Sequence, residues 1–168
     1  MTELWKTIDN YDSYSVSSEG RVRNDATGRF LKGRFYSKGY LQVGLTIDGE
    51  RNNHYIHRLV AIAFIPNPEC KPFVDHHDNN PANNSLENLR WATCSENSRN
   101  QRIHCNNTSG VKGVSWYKRY QKWQATIKID GIVIHIGYYD TLEEATLARQ
   151  TRAQEAFGIF LNACETPK

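Results

Sequence analysis

Residues 74–100 read VDHHDNNPANNSLENLRWATCSENSRN, and the rest of the chain is organised around them. Asp75 and His76 stand side by side at the start, and a loop rich in asparagine follows them. A short apolar run that begins at Leu89 then predicts a second strand. This single stretch therefore supplies a carboxylate and an imidazole before a long loop, and further polar groups after it.

The end of the stretch predicts a helix. Thr93 and Glu96 fit a capping box, in which the first side chain caps the start of the helix and the second reaches back to it. Asn97 would then lie near the end of the first helical turn, where its side chain can face back towards the strand.

These residue types suit the hydrolysis of a phosphodiester bond. An unperturbed histidine titrates near neutral pH and can take a proton from water. A cation is also needed, because charge develops on the phosphate and on the departing oxygen. Carboxylate and amide oxygens, which this stretch supplies, suit hard ions, so we predict Mg²⁺ or Mn²⁺ rather than zinc. A surface loop without function is the alternative interpretation.

The whole stretch resembles the HNH endonuclease motif of the ββα-metal nucleases. In that motif a strand ends in Asp-His, a long loop follows, Asn-Leu-Arg-Trp leads a second strand, and a helix supplies the last ligand. The resemblance implies that Asp75 is a metal ligand and His76 the general base. It implies that Asn88 orients this histidine and that Asn97 is the second metal ligand. It further implies a homing-type endonuclease that acts on double-stranded DNA, encoded by a phage or another mobile element.

The distribution of charge favours a nucleic-acid partner more than the net charge of +3 does. Residues 97–129 contain no Asp or Glu, and aromatic residues alternate with the basic ones. The basic residues of this segment are Arg99, Arg102, Lys112, Lys118, Arg119, Lys122 and Lys128. A block of one sign of this length suits a phosphate backbone, although a merely solvated face would show the same pattern.

Several classes of protein are excluded by what the sequence lacks. The four cysteines are scattered without a C-x-x-C pair, which argues against a structural zinc module and against a disulfide framework. The first ten residues lack the apolar core of a signal peptide. The longest apolar run, residues 59–65, is too short to cross a membrane. We therefore expect a soluble, intracellular protein.

The N-terminal part, residues 1–52, predicts short strands and turns, with Asp48-Gly49 as a hairpin turn. Its first half resembles a small module that precedes the nuclease motif in homing endonucleases. That resemblance implies a role beside the DNA, carried by basic side chains. The candidates are Arg21, Arg23, Arg29, Lys32 and Arg34. A plain β-rich subdomain that completes the nuclease core is the alternative.

Residues 57–64 predict a short helix that packs under the site and stops before Pro66. We interpret His57 as structural, because a histidine that opens an apolar element is usually satisfied within the fold.

The C-terminal part predicts a second module after a polar linker at residues 103–110. Apolar residues alternate between Trp123 and Ile129, which indicates a strand with one buried face. Asp130-Gly131 predicts a tight turn into a return strand. A capping box at residues 141–144 then opens a helix that Gly158 would end.

These landmarks resemble the ethylene-response-factor (APETALA-type) DNA-binding domain over residues 109 to 161. Such domains lay their sheet in the major groove and read it with the exposed face. The residues that would do so are Lys112, Trp116, Lys118, Arg119, Gln124, Thr126 and Lys128. Arg149 and Arg152 depart from the pattern, because small residues are expected on that side of the helix. A module of the same shape that binds protein is the alternative.

The sequence thus predicts an α+β protein with five segments. They are an N-terminal β-rich module (1–52), a ββα-metal HNH core (53–102), a linker (103–110), a DNA-binding module with a three-stranded antiparallel sheet and a helix (111–161), and a tail (162–168). We predict a site-specific, metal-dependent DNA endonuclease. The rival hypothesis is a DNA-binding regulator on an inactive HNH scaffold. Monomer and homodimer are both open.

Overall fold

A computed structural model describes residues 2–100, 103 and 106–160. The chain divides into two compact units, residues 1–93 and residues 94–168. The first unit holds the predicted N-terminal module together with the two strands of the predicted nuclease core, and the second unit begins with the helix that carries Asn97. Helices and small antiparallel sheets occur in both units, so the predicted α+β class is confirmed.

The first unit contains three antiparallel sheets with the strand orders β1-β2-β3, β4-β5-β6 and β7-β8. The strands are β1 Trp5–Ile8, β2 Tyr11–Ser17, β3 Val22–Asn24, β4 Arg34–Phe35, β5 Leu41–Ile47, β6 Glu50–Tyr55, β7 Phe73–His76 and β8 Leu89–Ala92. The predicted hairpin between β5 and β6 is confirmed, because Asp48 and Gly49 both have left-handed backbone angles, with φ of +50° and +82°.

Helix α1, Ile56–Phe64, closes the core of the first unit. It buries Ile56, Leu59 and Val60 against a cluster that includes buried residues of β2, β3, β5, β7 and β8. The helix ends where the amide of Ile65 donates to the carbonyl of Ala61, directly before Pro66. The predicted helix is therefore confirmed, and it lies beneath the strand that carries the predicted catalytic pair.

The second unit contains α2 Cys94–Arg99, an antiparallel sheet of order β11-β10-β9, and α3. The remaining bounds are β9 Val114–Tyr117, β10 Lys122–Ile129, β11 Ile132–Tyr139 and α3 Leu142–Phe157. Ala125 and Ile127 on β10 face α3 and share its two apolar clusters. Both predicted ends of α3 are confirmed: Thr141 forms the capping box with Glu144, and Gly158 is the C-cap.

The two arginines that break the expected pattern of α3 differ in environment. Arg149 is 5% exposed, and its guanidinium carbon lies 5.8 Å from the ring centroid of Phe157. Gly113, at a φ of +73°, makes room for it, because a Cβ there would lie 2.6 Å from Arg149 Nε. Arg152 is exposed and donates to Glu155 at 3.0 Å. Arg149 is therefore part of the interior of this unit.

Among the residues that the structure describes, none of the helices is long and apolar enough to cross a membrane.

Candidate active site

Strand β7 places Asp75 and His76 at its C-terminal end, and both side chains are buried, at 4% and 5% exposure. Asp75 lies opposite Arg90 of β8 in the strand register. Arg90 Nε donates to Asp75 Oδ2 at 2.8 Å, and Nη2 lies 2.7 Å from the same oxygen. A buried charge is costly unless it is paired, so this contact lets a carboxylate stand next to the histidine inside the fold.

The imidazole of His76 contacts one amide and two rings. Its Nε2 lies 3.3 Å from Oδ1 of Asn84. The ring centroids of His57 and Tyr40 lie 5.1 Å and 5.8 Å from its own. Burial lowers the pKa of His76, while the hydrogen bond from its ring to Asn84 and the nearby carboxylates act in the opposite direction. The net shift is downward, so the ring is neutral near neutral pH, as a general base must be.

Asn88 closes the loop that follows His76. Its Nδ2 donates to Asp78 Oδ1 at 2.9 Å and to the carbonyl of Asn83 at 2.8 Å, and its Oδ1 accepts from the amide of Asp78 at 3.0 Å. Its own carbonyl accepts from the amide of His77. These side-chain bonds go to the loop, whereas the amide that meets the histidine ring belongs to Asn84. The predicted role of Asn88 as the orienting residue stays a prediction, and it would act through the loop.

The carboxylate of Asp78 accepts several hydrogen bonds from within this loop. Its carboxylate accepts from the amide of Asn80 and from Nδ2 of Asn83, each at 2.8 Å, as well as from Asn88. Desolvation acts to raise the pKa of Asp78, but the bonds from Asn83, Asn80 and Asn88 together lower it. The loop is therefore built around a charged carboxylate.

His57, on the first turn of α1, forms the floor beneath His76. It is 7% exposed, with its ring centroid 5.1 Å from Tyr40 and 5.4 Å from Tyr55. Burial first, and then the charges of His76 and Arg58, lower the pKa of His57 to about 3. Its Nδ1 is buried and makes no hydrogen bond within the described part of the chain. We interpreted this residue as structural, and the structure places it against His76, the predicted general base.

Asn97, the predicted second metal ligand, lies on α2 in the second unit and is half-buried. Within the described ranges, no three His, Cys, Asp or Glu side chains come together as a metal cluster. The assignment of Asp75 and Asn97 as ligands of one ion stays a prediction. The oxygen donors of these two residues fit Mg²⁺ or Mn²⁺.

The basic residues predicted for the N-terminal module differ in availability. Arg21 forms an ion pair with Glu3, and Arg23 donates to Asp25 at 2.7 Å while its guanidinium carbon lies 4.3 Å from the ring centroid of Trp5. A neighbouring groove of about 820 Å³ is lined by other basic side chains and by no Asp or Glu. The basic side chains are Arg29, Lys32, Arg34 and Arg51.

The outward face of the C-terminal sheet carries three of the predicted DNA-binding residues. Gln124, Thr126 and Lys128 alternate along β10 with the residues that face α3. Trp116 is the exception, because it pairs in register with Trp123 and its ring lies 5.3 Å away on the side that the helix covers. Trp116 is nevertheless 45% exposed, and its contact with DNA stays a prediction.

The other predicted DNA-binding residues of this unit have varied surroundings. Lys118 and Arg119 lie in the turn between β9 and β10. Lys112 Nζ donates to the carbonyl of Arg99 at 2.6 Å, and Arg99 donates to Asp130 at 2.8 Å. Arg102 lies outside the described residues.

Sequence reasoning missed an aromatic cluster on the outward face of this sheet. Tyr117 and Tyr138 lie 5.2 Å apart, Tyr120 lies 5.0 Å from Tyr138, and His135 lies 4.5 Å from Tyr138, measured between ring centroids. The guanidinium carbon of Arg119 lies 5.8 Å from the ring centroid of Tyr120. The signal for this cluster was the cross-strand register, which places residues two apart on one face.

Comparisons with known proteins identify the family of this chain. Sequence models of the NUMOD4 motif and of the HNH endonuclease match residues 3–46 and 54–99. Protein 3.8 of Escherichia phage T7 is 40% identical over 88 residues, which are 52% of this chain and 72% of that protein. DNA endonuclease I-HmuI of Bacillus phage SP01 is 41% identical over 98 residues, 58% of this chain and 56% of the relative.

A solved structure, described as DNA binding and cleavage by the HNH homing endonuclease I-HmuI, superposes with a TM-score of 0.55 at 32% identity. The alignment covers 92% of this chain and 83% of that one. This chain belongs to the HNH endonuclease family. It spans about half the length of curated I-HmuI (56%) and 27% of an uncharacterized HNH endonuclease, L245, of Acanthamoeba polyphaga mimivirus. The two family matches end at residues 46 and 99, so neither reaches the C-terminal sheet, and the ethylene-response-factor resemblance stays a prediction.

Proposed function

We propose that this protein is a site-specific, metal-dependent DNA endonuclease of the homing type. One observation carries the proposal: a buried His76 follows a buried, ion-paired Asp75 at the end of β7, inside the segment that matches the HNH endonuclease family. That pair combines a base that is ready to accept a proton with an anionic oxygen ligand, and phosphodiester hydrolysis needs both.

In this mechanism His76 takes a proton from the attacking water. Its low pKa keeps the ring unprotonated at neutral pH. Arg90 fixes one carboxylate oxygen of Asp75, and Asn88 closes the loop behind the base. A divalent ion held by Asp75 and Asn97 would neutralise charge on the phosphate and the leaving oxygen. The products expected are a 5′-phosphate and a 3′-hydroxyl.

Two surfaces support double-stranded DNA as the partner. The groove lined by Arg29, Lys32, Arg34 and Arg51 offers four cations and no carboxylate. The outward face of the C-terminal sheet offers Lys128 and Gln124 beside the tyrosine cluster. Cations suit phosphates, and polar and apolar side chains can contact base edges in the grooves of duplex DNA. We propose that the first surface holds the DNA backbone and that the second contributes most of the sequence preference.

Metal-dependent cleavage of DNA by the full chain tests the proposal. Incubation with supercoiled plasmid or phage DNA and Mg²⁺ or Mn²⁺ should give nicked or linear products, and chelation should stop the reaction. DNA ligase should reseal the product ends without further treatment, because they carry 5′-phosphate and 3′-hydroxyl groups. Binding without cleavage under every divalent ion would instead support a regulator on an inactive scaffold. Phage proteins among the relatives support a phage or mobile-element origin, with the protein acting inside the host cell.

A further inference from the structure

We propose that Asn84 is the positioning residue that fixes the tautomer of His76, and that Gly20 of the N-terminal module holds Asn84 in place. The catalytic meaning of this inference rests on the proposed function, because it takes His76 to be the general base. The structural part rests only on the contacts of the first unit. Asn84 occurs in an asparagine-rich loop, and neither the motif nor the family match distinguishes it from its neighbours.

The hydrogen bond between these residues has only one possible direction. Oδ1 of Asn84 lies 3.3 Å from His76 Nε2, while Nδ2 of Asn84 donates to the carbonyl of Ala82 at 3.3 Å. The second bond sets the orientation of the amide, since a carbonyl accepts and cannot donate. An amide oxygen also only accepts, so Nε2 must carry the proton of the neutral ring. Nδ1 is then the nitrogen with the basic lone pair.

Burial gives this contact its energetic importance. Asn84 and His76 are each 5% exposed. Water therefore has little access to either group, and the opposite tautomer would leave an imidazole lone pair facing an amide oxygen inside the protein. An unmade hydrogen bond of this kind disfavours the opposite tautomer by roughly tenfold or more, which is enough to hold the ring in one tautomer.

Gly20 explains why the amide sits where it does. Its φ is +77°, and a Cβ at this position would lie 2.7 Å from Asn84 Cβ and 3.0 Å from the carbonyl oxygen of Asn84. On the same turn, the carbonyl of Ser18 accepts from the amide of Leu86 at 2.7 Å. The turn between β2 and β3 is thus packed directly on the loop residue that meets the base. The N-terminal module thereby takes part in positioning the catalytic histidine.

Asn84 and Asn88 consequently have separate tasks. Asn88 bonds to the backbone at Asp78 and Asn83 and holds the course of the loop. Asn84 contacts the ring itself. Loss of Asn88 should loosen the loop. Loss of Asn84 should instead allow both tautomers of the His76 ring, while the loop keeps its course.

Long-range ¹H–¹⁵N NMR of the full-length protein tests the assignment, because it distinguishes protonated from unprotonated ring nitrogens. At a pH where the ring is neutral, His76 of the native protein should show a protonated Nε2 and an unprotonated Nδ1. Asn84→Leu, which keeps the size but removes the acceptor, should give a mixture of tautomers. Asn84→Asp restores an acceptor and should restore the native pattern. Asn80→Leu, an exposed change in the same loop, should leave the pattern alone.

Kinetics with a cleaved DNA substrate give the second readout. Asn84→Leu should lower kcat by about 10- to 100-fold, the usual effect of losing a residue that orients a catalytic ligand or base, while KM stays unchanged. Gly20→Ala should act in the same direction. A native tautomer pattern in Asn84→Leu would overturn the proposal, as would a KM effect without a kcat effect. Should the native protein cleave no DNA, the proposed function fails, and the NMR pattern still decides the role of Asn84.

Discussion

Replacing Arg90 with alanine is expected to destabilise the first unit substantially. The change removes the partner of Asp75, whose side chain is 5% exposed, and Arg90 itself is 16% exposed. Breaking a buried ion pair by removing one member costs roughly 3–5 kcal/mol. Because some solvent reaches Arg90, we take the lower end, about 3 kcal/mol. For a unit of 93 residues the loss corresponds to a fall in Tm of roughly 12–24 °C.

Differential scanning calorimetry and urea unfolding measure this effect. Arg29→Ala is the matched control, since Arg29 is exposed and forms no ion pair among the described residues. We expect the control to lie within about 0.5 kcal/mol of the native protein. If Arg90→Ala and Arg29→Ala unfold alike, the pairing of Asp75 with Arg90 does not stabilise the site, and the reasoning from burial is refuted.

Three further predictions concern the pH dependence, the metal and the DNA. Burial lowers the pKa of His57 to about 3 in the folded state, below its ordinary value of 6.5. Below about pH 6.5 the unfolded chain therefore binds a proton that the folded chain does not. The free energy of unfolding should then fall by about 1.4 kcal/mol per pH unit. His57→Phe should therefore lose less stability between pH 7 and pH 5 than the native protein in parallel urea titrations, and equal losses would contradict the shift. Asn97→His should retain cleavage and extend it to zinc, nickel or cobalt, whereas Asp75→Ala should abolish cleavage with every ion; an unchanged metal ranking for Asn97→His would mean that Asn97 is not a ligand. Lys128→Ala should weaken DNA binding and lower the salt slope by ~0.9 if it contacts one phosphate, with exposed Arg152→Ala as the control for charge; an unchanged slope would remove Lys128 from the interface.

Much of the fold could be predicted from local sequence. Asp48-Gly49, the proline stop after α1 and the capping box at Thr141 each act within a few residues, and the structure confirms all three. The adjacency of Asp75 and His76 likewise requires no tertiary information. Short-range chemistry therefore fixed the elements and the predicted catalytic pair.

The contacts that refine the site depend on distant parts of the chain. The loop contains five asparagines, and only packing against Gly20 and His76 distinguishes Asn84 from the others. In the sequence, His57 is only a histidine at the start of an apolar helix. Its contacts with Tyr40 and His76 could not be predicted, because those residues come from other parts of the chain. The face of Trp116 follows from the pairing of β9 with β10, because its four-residue strand has no clear alternation of its own.

The basic residues of the N-terminal module show a third kind of difference between the prediction from sequence and the structure. Arg21 and Arg23 were predicted to contact DNA from the resemblance of this module and from their positive charge. In the structure both form ion pairs with carboxylates: Arg21 with Glu3, just before β1, and Arg23 with Asp25, just after β3. The side chains of the groove, such as Arg51, became visible only through the fold, because β5 and β6 bring that arginine across Gly44.

Cleavage of plasmid DNA by the native protein, His76→Ala and His77→Ala in Mg²⁺ is the most direct test of the central claim. The two variants make the same chemical change at adjacent positions, one buried beside Asp75 and one exposed. The account predicts that His76→Ala loses roughly 100-fold or more in rate with DNA binding retained, while His77→Ala cuts at a near-native rate. Near-native cutting by His76→Ala would contradict the assignment of the base.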